Sequence, residues 1–265
     1  MKSIHGHHAC LRVPSRTPLI VLVLATVASC ASLLPAPVPM RSRASRAEPT
    51  KQARCLMVLL PGFGDSDADF DKHGFIAELR TRKLSVDTVS VDAKVGYYAR
   101  GMLAKRIDAD ILAPNTAGYE QVWITGVSMG GMGTLLTAQR HPEVVGVVLI
   151  APYLGDSDLI TEIITAGGLP KWKAPPKPAV QNGDNYQRDT WRWLQLAVAR
   201  AGSPPSIYML SGDKDPGMRA HRLLASNLPP EHVFRDRGDH DWGPWKRLWI
   251  DFLDHADFAA RCGPR

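Results

Sequence analysis

Gly126-Val127-Ser128-Met129-Gly130 is the stretch whose reading decides the fold. It matches G-x-S-x-G and falls between two segments of different period. Ahead of it, Gln121–Val127 is a short, largely apolar run that reads as a buried strand. Behind it, Gly131, Gly133 and an amphipathic run lead to Arg140, where Pro142 stops the helix. A serine on so tight a strand-to-helix turn leaves no room for side chains two residues to either side, so glycine fits both places. The turn lifts the hydroxyl to the carboxyl edge of a sheet and points a helix N-terminus at it.

Outward from this corner the same rhythm repeats. Cys55–Leu60 is a continuous apolar run closed by Pro61-Gly62, as a strand covered on both faces should be. Phe75–Lys83 fits a helix, Val86–Val91 a strand and Ala99–Leu112 a helix. Val144–Ala151, Ile207–Leu210 and His232–Arg235 supply later strands, and Trp245–Ala259 a last helix. Strands alternating with helices predict an α/β domain with a mostly parallel sheet and helices on both faces. Residues 152–205 break the rhythm with Gly167-Gly168, a Pro-rich segment at Lys171–Pro178 and a helical pattern at Tyr186–Ala201 that carries Trp191 and Trp193. They form either a small lid-like insertion above the carboxyl edge or an excursion whose tryptophans pack down on the domain.

On these residues the chain resembles the α/β-hydrolase superfamily over about Cys55–Phe258. The resemblance implies Ser128 as nucleophile, an acid after a late strand and a histidine after the last strand, in that chain order. Ser211-Gly212-Asp213-Lys214-Asp215-Pro216 offers Asp215 as the acid, with Asp213 as the alternative. Arg237-Gly238-Asp239-His240-Asp241-Trp242 offers His240 as the base. His221 and His232 fall in regular elements and read as structural; His73, His141 and His255 lie outside the expected loop. The backbone N–H groups of Phe63 and Met129 would form an oxyanion hole; many relatives carry His-Gly where this chain has Pro61-Gly62. In such a fold Cys55 and Cys262 approach the same far edge of the sheet, as a disulfide or as two thiols. Tyr97-Tyr98 line a substrate pocket or belong to the core, and Trp242 and Trp245 pack the last helix. The alternating acids Asp65, Asp67, Asp69 and Asp71 lack the glycine and closing glutamate of a calcium loop, so they read as turn and cap residues. The chemistry requires no metal or organic cofactor.

The N-terminus reads differently. Lys2, Arg12 and Arg16 precede the apolar run Leu19–Ala28, which is too short to span a bilayer and suits a signal peptide. Val27-Ala28-Ser29-Cys30 resembles the lipobox of bacterial lipoproteins, which implies a signal peptide over 1–29 and acylation of Cys30. An ordinary secretory signal and an uncleaved anchor are the alternatives. If the envelope is Gram-negative, Ala31 rather than Asp after the cysteine implies the outer membrane, on its periplasmic side. Residues 30–54, rich in Pro, Ala, Ser and Arg, read as a disordered tether ahead of a domain at 55–265.

Charge excludes one function class. The formal net charge is +6, yet residues 1–54 hold eight of the 32 Lys and Arg against the single acid Glu48. The remainder carries 24 bases against 25 acids, so the domain has no basic footprint for a nucleic acid. The expected activity is hydrolysis of small-molecule carboxylic esters, with a thioesterase or lipase-like enzyme as the nearest alternative. A catalytically inactive, membrane-held binding protein of the same fold is the rival from another class, and no protein partner can be inferred.

Overall fold

The computed structural model describes residues 34–177, 185–200 and 202–264. The segment read above as a signal peptide, and Cys30, lie outside the described residues. From Pro35 onward the chain forms one unit built on a seven-stranded sheet. The strands are β1 (Ser42–Ser45), β2 (Cys55–Leu60), β3 (Val86–Val91), β4 (Gln121–Val127), β5 (Val144–Ile150), β6 (Ser206–Gly212) and β7 (Val233–Asp236). Their spatial order is β1-β3-β2-β4-β5-β6-β7, with β1 antiparallel and every other neighbour parallel. The fold is therefore that of the α/β-hydrolases, as the resemblance implied.

Alternate residues of each central strand feed two separate cores, because side chains on a strand project to opposite faces. Leu56, Val58, Ile124, Val147, Leu149 and Met209 join the core on one face. Met57, Leu59, Trp123, Val148, Ile150 and Leu210 join the core on the other. The second face is covered by α1 (Phe75–Thr81) and by the last long helix, Trp242–His255. The first is covered by α2 (Met129–Ala138), α3 (Ser157–Thr165), α4 (Asn185–Val198) and α5 (Met218–Ala225). The helix Trp242–His255 is α6. It starts three residues earlier than its apolar period indicates, because the Asp241 side chain caps it by accepting the Trp242 N–H at 2.8 Å. The single helix expected over 99–112 is instead two short pieces, Val95–Ala99 and Leu103–Ile107, followed by a wider π turn at Asp108–Leu112.

The disordered tether expected over 30–54 is corrected for its described part. Ser42–Ser45 pairs with β3 as an edge strand, Met40 is buried, and its N–H donates to Asp110. The buried Asp87 carboxylate accepts the N–H groups of Ala47 and Ala53, and Arg41 bridges Asp67 and Asp92. The segment lacks an apolar period because an edge strand with exposed side chains is held through its backbone.

Within 152–205 the described residues pack down on the domain. Trp172, Trp191, Leu159, Ile163, Leu169 and Leu194 are buried in the same core as the sheet, and the Trp191 Nε1–H donates to the Leu154 carbonyl at 2.7 Å. At the amino edge of the sheet Cys55 and Cys262 form a disulfide across 207 residues of sequence.

Candidate active site

The parallel strands end along one edge, and β4, β6 and β7 each release a chemistry-bearing residue there. Ser128 follows β4 at φ 50°, ψ −118°, a left-handed conformation rare for a residue with a side chain. Holding it costs about 1–3 kcal/mol, so the surroundings must over-determine it. They do so through both sides of its backbone. Its N–H donates to the Ile150 carbonyl at 2.9 Å, and its carbonyl accepts from Tyr153 at 2.8 Å and Gly131 at 3.0 Å. The flanking glycines are steric necessities. A Cβ on Gly126 would stand 2.1 Å from the Gly130 carbonyl oxygen, and one on Gly130 2.1 Å from that of Leu60.

The Ser128 hydroxyl lies 2.8 Å from His240 Nε2, and His240 Nδ1 lies 2.6 Å from Asp215 Oδ2. A carboxylate can only accept, so the ring proton sits on Nδ1 and the Nε2 lone pair accepts the hydroxyl proton. The Asp215 side chain is 1% exposed and that of His240 31%, so a buried charge orients a ring that solvent and substrate can reach. Burial alone would raise the Asp215 pKa, but the hydrogen bonds from His240 and from the Gly217 N–H outweigh it and hold the carboxyl below its ordinary value. Trp245 stands edge-on to the imidazole with centroids 4.8 Å apart, steadying the ring as well as packing α6.

Asp213, the alternative acid, lies apart from this chain. Its carboxylate accepts the Gly238 N–H at 3.0 Å and so joins the β6 turn to the loop that carries His240. The Pro61–Asp65 loop reaches the nucleophile, for a Cβ on Gly62 would come within 3.4 Å of Ser128 Cβ. Its turn is closed by the Asp65 N–H donating to the Gly62 carbonyl at 3.3 Å, and the Asp65 carboxylate accepts a hydrogen bond from the Trp242 Nε1–H at 3.4 Å. Among the described residues neither the Phe63 N–H nor the Met129 N–H donates to a protein group. Phe63 itself is 71% exposed at the mouth of the site.

Other candidates resolve into structure. Tyr97 is buried and donates its hydroxyl to the Pro37 carbonyl, while the Tyr98 hydroxyl donates to the Met129 carbonyl at 3.2 Å and borders a cavity of about 620 Å³. In the acidic run, Asp69 accepts both the N–H and the hydroxyl of Ser66, and Asp67 pairs with Arg41. The chain-order signals pass over His221, whose ring the fold sets against Asp215. A histidine in mid-helix has no spacing that announces such a contact.

The comparisons agree with this fold. The chain superposes on Est1E from Butyrivibrio proteoclasticus with a TM-score of 0.53 at 15% identity, covering 82% of this chain and 94% of that one. Against MPT51 from Mycobacterium tuberculosis the TM-score is 0.57 at 17% identity, over 86% and 97% of the two chains. FphF, a fluorophosphonate-binding serine hydrolase of Staphylococcus aureus solved with substrate bound, gives 0.54 at 14% identity over 85% and 100%. At such identities the likeness establishes the fold. No curated protein matches the chain in sequence. The Esterase family model matches residues 103–255, more than half of the chain and inclusive of Ser128, Asp215 and His240, and the chain accordingly belongs to the Esterase family.

Proposed function

We propose that this esterase cleaves carboxylic esters of small molecules through an acyl-enzyme on Ser128. The observation that carries the reading is the continuous hydrogen-bonded chain from the Ser128 hydroxyl through His240 to Asp215. His240 Nε2 takes the hydroxyl proton as Oγ attacks the ester carbonyl. Asp215 keeps the ring in the required tautomer and stabilises its charged form. The N–H groups of Phe63 and Met129 donate to the developing oxyanion, each worth about 3 kcal/mol where such a donor has been removed from a serine hydrolase. The imidazolium then protonates the departing alcohol, and water repeats the sequence on the acyl-enzyme.

Labelling with a fluorophosphonate probe tests the reading, with Ser128→Ala as the control. Wild-type protein should label covalently at Ser128 and the variant should not. A wild-type chain that does not label is a binding protein on the same scaffold. p-Nitrophenyl esters of rising chain length, run beside acyl thioesters, then separate an esterase from a thioesterase or a lipase-like enzyme. We propose further that the enzyme is lipid-anchored in a bacterial envelope through Cys30, on the strength of the apolar run and Val27-Ala28-Ser29-Cys30. Incorporation of labelled palmitate that disappears in Cys30→Ser tests the anchor independently of the activity.

A further inference from the structure

Behind the acid lies a second imidazole that the mechanism above leaves unused. His221, on α5, has a side chain 1% exposed. Its Nε2 is 2.9 Å from the Pro152 carbonyl oxygen, which can only accept, so the proton of the neutral ring sits on Nε2. Nδ1 is then a bare lone pair. It has no hydrogen-bond partner and lies 3.8 Å from Asp215 Oδ1, too far for a bond. That oxygen instead accepts the Gly217 N–H at 2.7 Å. The turn after Asp215 closes tightly over the ring, for a Cβ on Gly217 would fall 2.7 Å from His221 Nε2.

The other end of the contact leads to the nucleophile. Pro152 lies between the two residues that grip the Ser128 backbone: Ile150, two residues before it, accepts the Ser128 N–H, and Tyr153, directly after it, donates to the Ser128 carbonyl. Pro152 also packs on the first turn of α2, since a Cβ on Gly131 would stand 2.5 Å from Pro152 Cβ. His221 therefore spans from the acid's carboxylate to the loop that grips the nucleophile. As mere filling it is a poor choice. A buried polar atom without a partner costs about 1–3 kcal/mol, which a leucine of similar bulk would not incur.

We propose that His221 is a positioning residue for the hydrolysis. Bonded to Pro152 while its ring backs the Asp215 carboxylate, it sets the spacing between the Asp215–His240 pair and the Ser128 hydroxyl. The inference rests on the reading of Ser128, His240 and Asp215 as catalytic. Spacing of this kind matters because misplacement of a reacting group by about 1 Å can cost roughly 100-fold in rate.

The test uses the full chain and begins with fluorophosphonate labelling of the wild type, whose failure overturns the catalytic reading whatever His221 does. Given labelling, two variants are compared with p-nitrophenyl acetate. His221→Leu keeps the bulk and removes the donor; His221→Gln carries an N–H close to the position of Nε2. The Leu variant should lose about 30- to 100-fold in kcat with KM within about twofold, and should label more slowly by a similar factor. The Gln variant should recover kcat to within about fivefold of wild type. A folded Leu variant with kcat within about threefold of wild type overturns the proposal, and so does a Gln variant as slow as the Leu one. Should the Leu variant not fold, His221→Asn, whose amide is too short to reach Pro152, takes its place under the same criteria.

Discussion

The two edges of the sheet are built to opposite ends. At the carboxyl edge the backbone is strained, with Ser128 and Ala151 both at positive φ, and the reactive ring is part-exposed. At the amino edge the chain is tied shut. Cys55 is bonded to Cys262, the Cys55 N–H donates to the Ser85 carbonyl at 3.0 Å, and the Ser85 N–H donates to that of Cys262 at 2.8 Å. Both cysteines are fully buried. Pre-organised chemistry costs stability at one edge, and cross-linking offsets that cost at the other. Substitutions should therefore separate by edge into those that change rate and those that change stability.

The largest expected effect tests the carboxyl edge. Ser128→Ala should lower kcat by roughly 10⁵- to 10⁶-fold, as removal of a serine nucleophile does elsewhere. Stability should hold or rise slightly, since the strained backbone keeps its length and loses only a partly exposed hydroxyl. Thermal unfolding beside ester turnover checks both. A variant that loses several kcal/mol of stability would mean that the hydroxyl holds the fold, and the division between edges would break.

Next comes the amino edge. Replacing Cys55 and Cys262 by serine removes a cross-link closing a loop of 207 residues, for which loop-closure entropy gives a loss of about 5 kcal/mol. Urea titration should show the loss, while kcat for a p-nitrophenyl ester near the bottom of the transition stays within about twofold of wild type. A parallel fall in kcat would show that the two edges communicate through β2 and β4.

What the sequence reveals follows the same physics. Strands covered on both faces leave continuous apolar runs, so β2, β4 and β5 are plain in Cys55–Leu60, Gln121–Val127 and Val144–Ile150. The corner at Ser128 is plain because sterics leave glycine alone at 126 and 130. The edge strand at Ser42–Ser45 is illegible because it offers a partner only its backbone. His221 is illegible for another reason: its role depends on the loops after β5 and β6 bringing Pro152 and Asp215 to the two nitrogens of one ring. The chain order of acid and base and the preference for Asp215 over Asp213 are carried by resemblance, and the hydrogen bonds then show Asp215 on the ring and Asp213 on the Gly238 N–H.

A smaller effect sharpens the comparison by marking where it blurs. His221 sits at the carboxyl edge, yet its titration should register in stability. Burial pushes its pKa below the ordinary value of 6.5, against the opposing pull of the Pro152 hydrogen bond and the Asp215 charge. Above the unfolded pKa both states are neutral and the folded state keeps its full stability. As pH falls below it, the unfolded chain binds a proton that the folded one resists, so stability falls, by at most about 1.4 kcal/mol per pH unit, until the folded pKa is reached. Urea titrations at pH 7, 6 and 5 should show a steeper loss for wild type than for His221→Gln. Equal slopes would mean that the ring protonates as readily in the fold as in water.

The smallest effect concerns Asp213, which stands two residues from the acid and has the same charge. Its carboxylate bonds the Gly238 N–H, while its own N–H donates to the Asp236 carbonyl at 2.9 Å. It thus belongs to the frame of the carboxyl edge and has no bond to His240. Asp213→Ala should cost about 0.5–1.5 kcal/mol for one lost hydrogen bond and leave kcat within about threefold. Asp215→Ala, by contrast, should lower kcat by about 10⁴-fold, since the imidazole loses both its tautomer control and its counter-charge. Measured side by side, the pair asks whether rate at this edge follows charge or geometry. The two carry the same formal charge, but Asp213 is exposed to screening solvent while Asp215 is buried. Only Asp215 is buried and touches the ring, so a loss confined to Asp215→Ala assigns the effect to the one buried, bonded carboxylate. Comparable losses in both would return the acid's role to the field of the whole loop.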